Sequence, residues 1–128
     1  MKVLIADDSP LISKRLAQML GEVDSVQIVG PAPDGDTALR LFQDLRPDVV
    51  LLDLQMPGRS GVETLIAMRK QDKSSTVIVL TNYDFPEFRT ACLNAGADFF
   101  LRKSVQFERA VEIVRQLTLR RAEQTSSS

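Results

Sequence analysis

Val49-Val50-Leu51-Leu52-Asp53 sets four apolar residues in a row directly before an acid. A strand covered on one face alternates apolar with polar residues, whereas an unbroken apolar run suits a strand covered on both faces, as in a parallel sheet. The same kind of run recurs at residues 3–6 and 77–80, with a version interrupted by Gln27 at 26–29 and a weaker one at 99–101. Between the runs, apolar residues recur at three- and four-residue steps, as one face of a helix requires. The stripes are Ile12, Leu16, Met19 and Leu20; Ala38, Phe42 and Leu45; Val62, Leu65 and Ile66; Phe88, Cys92 and Ala95; and Phe107, Ala110, Val111, Val114 and Leu117. Helix punctuation agrees with them. Ser9-Pro10 reads as an N-cap followed by proline at the first helical position, Ser60 with Glu63 as a capping box, Asp84 with Glu87 as another, and Gly96 as a stop. Five strand–helix units in strict alternation predict an α/β fold: a doubly wound parallel sheet with right-handed crossovers and helices on both faces.

The bulk properties narrow the chemistry. A chain of 128 residues has the size of one domain. We place that domain at residues 1–121 and a polar tail, or the start of a linker, at 122–128. With 16 basic against 17 acidic residues there is no basic excess, so direct nucleic-acid binding by this chain is not expected. Cys92 is the only cysteine, which excludes an internal disulfide and places the thiol in an apolar stripe. The first apolar run is too short for a secretory signal, and no run reaches the roughly 20 residues that span a bilayer. A soluble, cytoplasmic protein with no membrane contact is expected. There is no histidine, so Ser-His-Asp or Cys-His catalysis and His-ligated zinc are excluded.

What remains is carboxylate, lysine and hydroxyl chemistry, and it gathers at one edge. In open α/β sheets ligands bind beyond the carboxyl ends of the strands, near the place where strand order reverses. Asp7 and Asp8 follow the first run, Asp53 the third, Thr81 the fourth and Lys103 the fifth. Alone, Asp7-Asp8 reads equally well as a turn, Asp53 as the entry to the loop Met56-Pro57-Gly58, and Thr81 or Lys103 as a structural or solvated side chain. Their coincidence at one edge outweighs those separate readings. Clustered carboxylates repel one another unless a cation is present, and a hard divalent ion such as Mg2+ suits oxygen ligands and leaves room for phosphate oxygens. With Lys103 the set has what phosphoryl transfer needs, including a carboxylate able to act as nucleophile.

These motifs resemble the receiver domain of two-component response regulators over essentially the whole chain, to about Leu119. The resemblance is carried by Ile5-Ala6-Asp7-Asp8-Ser9, by Asp53-Leu54-Gln55-Met56-Pro57-Gly58 with Ser60-Gly61 behind it, by Thr81, and by Ala95-Gly96-Ala97-Asp98-Phe99-Phe100-Leu101-Arg102-Lys103. It implies a flavodoxin-like sheet in the order 2-1-3-4-5 flanked by five helices. It also implies that Asp53 accepts a phosphoryl group from a phosphohistidine on a sensor histidine kinase or a histidine phosphotransfer protein. Mg2+ would be bound by Asp8, Asp53 and the main-chain carbonyl of Gln55, with Asp7 acting through water. Lys103 would hold one phosphoryl oxygen and Thr81 another. Phe100 would be the aromatic switch that turns inward as Thr81 moves, and Gln55, Asn82 and Tyr83 would flank the phosphoryl group. The surface of the fourth helix, fifth strand and fifth helix would then control partner binding or dimerisation, with an effector either fused or separate. Such a domain would catalyse only its own phosphorylation and slow dephosphorylation.

Ser104 departs from the pattern, since the family often has proline after the lysine, in a cis peptide. A non-proline cis bond costs about 2.5–4 kcal/mol, so a cis Lys103-Ser104 bond is not assumed. The alternative is a haloacid-dehalogenase-like phosphatase, which shares the aspartate nucleophile, hydroxyl, lysine and Mg2+. It expects Asp-x-Asp after the first strand and an acidic motif late in the chain, whereas here the acids are adjacent and the late polar residue is Lys103. Nucleotide-binding glycine loops are absent from the sequence.

Overall fold

The computed structural model describes residues 1–126, with side chains described as far as 123. Its elements run β1 (Lys2–Ala6), α1 (Pro10–Gly21), β2 (Gln27–Ala32), α2 (Gly35–Leu45), β3 (Val49–Leu52), α3 (Gly61–Gln71), β4 (Thr76–Thr81), α4 (Pro86–Asn94), β5 (Phe99–Arg102) and α5 (Lys103–Ser126). All strand pairs are parallel, as the apolar runs require, and the order is β2-β1-β3-β4-β5, as the resemblance implies. The order reverses at β1/β3, which puts the ligand edge beyond Ala6 and Leu52.

The unbroken apolar runs are explained by two cores, one on each face of the sheet. Leu4, Ala6, Val50, Leu52, Val77, Val79 and Phe100 pack with Ala38, Phe42, Leu65, Met68 and Cys92. Their strand neighbours Val3, Ile5, Val49, Leu51, Ile78, Leu80 and Leu101 pack on the other side with Leu16, Leu20, Phe107, Ala110, Val111 and Val114. Successive strand residues point to opposite faces, so each run feeds both cores alternately.

Ser9 caps α1 by accepting from the Ile12 amide at 3.3 Å, with Pro10 in the first turn, and Ser60 caps α3 by accepting from the Glu63 amide at 3.1 Å. The expected capping role of Asp84 is corrected: α4 begins after Phe85, which makes no side-chain cap, and Pro86 occupies the first turn. Proline disfavours helical geometry in the residue before it, so Pro86 moves the boundary to Phe85. Three stripe residues also prove partly exposed, Leu45 at 36%, Ile66 at 41% and Phe88 at 38%. A stripe specifies a side of a helix but not how far the sheet reaches beneath it. Phe88 instead stacks on Tyr83, with ring centroids 5.6 Å apart, and lies 5.9 Å from Phe85.

At its other end α4 is held firmly. Gly96 follows it with φ +108°, and the Arg69 guanidinium donates to the Gly96 carbonyl at 2.8 Å, the Ser75 carbonyl at 2.7 Å and the Asp98 carboxylate at 2.9 Å. The only cis peptide among the described residues joins Gly30 and Pro31, and the Lys103-Ser104 bond is trans. Helix α5 continues to Ser126, past Ala122, where composition suggested the tail begins; the remaining tail residues Ser127 and Ser128 lie outside the described residues.

Gly61 ties helix to site. A Cβ there would stand 2.6 Å from the Leu54 Cα and 3.1 Å from the Asp53 carbonyl oxygen, both backbone atoms that have little room to yield. Gly61→Ala is therefore expected to cost about 1–3 kcal/mol, the usual range for overpacking. Urea unfolding at wild-type stability would show that the β3–α3 loop is softer than this geometry implies.

Candidate functional site

The sheet hydrogen bonding continues one residue beyond its strands into the acids. The Asp7 amide donates to the Ala32 carbonyl at 3.0 Å and the Asp53 amide to the Ala6 carbonyl at 2.9 Å. Both acids therefore stand on ladder-bonded extended backbone. Asp7 and Asp53 are buried, at 5% and 3% exposure, while Asp8 is exposed. One carboxylate oxygen from each of Asp7, Asp8 and Asp53 lies within 4.8 Å of the others.

Lys103 follows β5, and its Nζ lies 2.7 Å from both Asp7 Oδ2 and Asp53 Oδ2. The other oxygens of these two acids accept main-chain amides, Ser9 N–H on Asp7 at 2.8 Å and Gln55 N–H on Asp53 at 3.1 Å. Burial pushes the Asp7 carboxyl above its ordinary range, and the hydrogen bonds from Lys103 and Ser9 only partly offset this. For Lys103, burial works against the charge, but the hydrogen bonds to Asp53 and Asp7 outweigh it and its pKa is raised. Lys103 is thus held as a cation between two buried carboxylates.

An all-oxygen set of three carboxylates in so small a space fits a hard divalent ion such as Mg2+. Soft metals would want sulfur or imidazole. Cys92 is buried on the helical face, where desolvation pushes its thiol up to about 11, and it takes no part.

Thr81 ends β4 fully buried, and its Oγ1 accepts the Tyr83 amide at 3.1 Å. Gln55 is exposed in the loop after Asp53. Asn82 is exposed and accepts the Ser104 amide at 3.1 Å, a cross-loop bond that no local sequence pattern announces. Tyr83, 38% exposed, joins Phe85 and Phe88 in an aromatic group at the start of α4. Phe100 is 5% exposed, with the Arg89 guanidinium 5.7 Å from its ring centroid. The structure therefore gathers Asp7, Asp8, Asp53 and Lys103 directly, and sets Thr81, Asn82 and Tyr83 in the neighbouring β4–α4 segment. Sequence reasoning did not foresee the Asp84–Arg102 ion pair, at 3.8 Å, which also joins that segment to β5. The sequence reads Asp84 only as a helix cap and Arg102 only as part of a longer motif, and it is strand pairing that makes them neighbours.

Comparison with known proteins agrees with this geometry. Residues 3–115 match the family described as the response regulator receiver domain. The response regulator GacA of Pseudomonas aeruginosa is 34% identical over 116 residues, which cover 91% of this chain and 54% of that protein. The nitrate/nitrite response regulator protein NarL of Escherichia coli is 32% identical over 114 residues, 89% of this chain and 53% of that protein. The chain thus spans about half the length of these curated relatives. Among solved structures, the signal receiver domain of the putative response regulator NarL from Mycobacterium tuberculosis superposes with a TM-score of 0.82 at 34% identity, covering 91% of this chain and 94% of that one. A chain of the CheX-CheY-BeF3-Mg+2 complex from Borrelia burgdorferi gives a TM-score of 0.83 at 28% identity, covering 92% of this chain and 89% of that one. No comparison favours the haloacid-dehalogenase-like alternative. The strand order, the acidic edge and these matches converge on one conclusion: the chain belongs to the response regulator receiver domain family, a signalling domain of two-component systems that works by phosphorylation.

Proposed function

We propose that Asp53 is the phosphoacceptor, taking its phosphoryl group from a phosphohistidine of a sensor kinase or phosphotransfer partner. The observation that carries this is the Asp53 carboxylate itself, buried at a sheet edge, within reach of Asp7 and Asp8 and 2.7 Å from the Lys103 ammonium. One Asp53 oxygen attacks phosphorus, forming an O–P bond as the N–P bond of the donor breaks and the imidazole departs. Bound Mg2+ supplies positive charge against the transferring phosphoryl oxygens. Asp8, Asp53 and the Gln55 main-chain carbonyl would hold it. The exposure of Asp8 supports its direct ligation, and Asp7, buried beside it, would act through water. Lys103 is already charged and in place, and its ammonium transfers from carboxylate to phosphoryl oxygen.

The switch follows from the same segment. The new anion draws the Thr81 hydroxyl, and Phe100 in β5 follows it, shifting the balance between two states of the α4–β5–α5 surface. Every residue from 82 to 90 is exposed, and Cys92 is the one buried residue of α4, so the start of that helix has little packing to resist movement. The Tyr83, Phe85 and Phe88 rings make it a surface suited to an effector, fused or separate, or to a second receiver. The exposed apolar side chains of Leu11 and Val105, at 76% and 71%, suit docking of the phosphohistidine donor.

Acetyl phosphate with Mg2+ is expected to give a phosphoryl mass gain that maps to the peptide containing Asp53 and disappears with chelator. An adduct mapping elsewhere, or none, overturns the assignment. Gln55 and Tyr83, each two residues beyond Asp53 or Thr81, are proposed to limit water at the phosphoryl group. Gln55→Ala and Tyr83→Ala should each hasten dephosphorylation several-fold, and unchanged lifetimes in both would refute their shared role.

A further inference from the structure

We propose that Asn82 is a positioning residue, a brace that holds the Lys103 segment against the Thr81 segment; this rests on the phosphoacceptor reading above. Thr81 pairs with Arg102 at the end of the β4–β5 ladder, so beyond that point nothing in the sheet holds the two chains together. Asn82 and Lys103 are the next residues on each side. The Asn82 Oδ1 accepts the Ser104 amide at 3.1 Å, bridging the gap one residue beyond both Thr81 and Lys103. This amide belongs to the first turn of α5, where main-chain N–H groups have no partner within the helix, and the cap comes from another loop. Gln106 fixes the far side by accepting the Arg102 amide at 2.9 Å, at a residue whose φ of −121° interrupts the helix. Lys103 is thus anchored on both sides within a short, exposed turn, while its ammonium reaches Asp7 and Asp53.

The consequence is thermodynamic. An anion on Asp53 engages Lys103 and Thr81 together, and a brace that sets their separation beforehand removes part of the cost of ordering them. A side chain that only obstructed the entrance would slow arrival and departure alike and leave equilibrium affinity unchanged. The two roles therefore separate in a binding measurement.

The test uses beryllofluoride in the presence of Mg2+, with Mg2+ alone as the reference. Asn82→Leu keeps bulk without an acceptor, and Asn82→Ala removes both. Each is expected to weaken beryllofluoride affinity about three- to tenfold, the effect of one net hydrogen bond. Mg2+ affinity should not change, because Asp7, Asp8 and Asp53 are untouched, and the Ser104 amide should exchange faster with solvent in both variants. Full beryllofluoride affinity in Asn82→Leu, unchanged Ser104 exchange, or a parallel loss of Mg2+ affinity overturns the brace. Wild-type protein that takes up no beryllofluoride overturns the phosphoacceptor reading and the brace together; wild-type uptake with full affinity in Asn82→Leu overturns the brace alone.

Discussion

Asp53→Asn protein is expected to acquire no phosphoryl group from acetyl phosphate, with or without Mg2+, while remaining folded. The asparagine amide matches the carboxylate in size and can still accept the Gln55 amide, which lies 3.1 Å from Asp53 Oδ1 in the native site. What it lacks is a nucleophilic oxygen. Two neighbouring acids remain. Asp7, like Asp53, is buried with one oxygen on a main-chain amide and the other on Lys103. Asp8 is exposed, and its carboxylate lies in the same cluster without the Lys103 contact that Asp53 has. Intact mass and peptide mapping decide the matter. A Mg2+-dependent adduct that persists in Asp53→Asn, and above all one that maps to Asp8, would show that the acidic edge is read correctly but the nucleophile is not.

Lys103→Met is expected to lose stability more than any conservative change nearby. Methionine preserves length and apolar stem but leaves Asp7 and Asp53 facing each other without the ammonium that stands 2.7 Å from each. Removing one partner of a buried ionic group costs about 3–5 kcal/mol, and with the partial access of Lys103 the lower end applies, a fall in melting temperature on the order of 10 °C. The Asp7 carboxyl already sits above its ordinary range through burial, so losing its cation compounds an existing cost. Mg2+ should recover much of the loss, since a divalent ion neutralises the same acids, and wild type should gain less from the same addition. Thermal unfolding with Mg2+ and with chelator tests both halves. A variant within about 1 kcal/mol of wild type in chelator would mean that solvent, not Lys103, screens the pair.

The resemblance to receiver domains and the chemistry of the residues point to the same site, because the acids, Thr81 and Lys103 all lie at the ends of strands. A residue that follows an apolar run in a parallel sheet has only one edge to occupy. Helix faces were less legible. Leu45, Ile66 and Phe88 fit their stripes yet face solvent, because periodicity registers the direction of a side chain and not the extent of what lies opposite. Asp84 shows a second limit: its capping pattern was local and plausible, but Pro86 imposed a stronger restriction on the backbone.

The alternation of strands and helices, the two-sided burial of the sheet, the caps at Ser9 and Ser60 and the acidic edge are all legible in the amino-acid sequence. Each depends on residues close together in the chain, where steric preference and side-chain period act directly. Folding alone places Lys103 between Asp7 and Asp53, sets Arg69 against the end of α4 while the aromatic rings at its start stay open, and brings Asn82 to the Ser104 amide. Those contacts join segments 22 to 96 residues apart. Their geometry follows from strand order and register, which bring distant residues to hydrogen-bonding range and which no local pattern encodes.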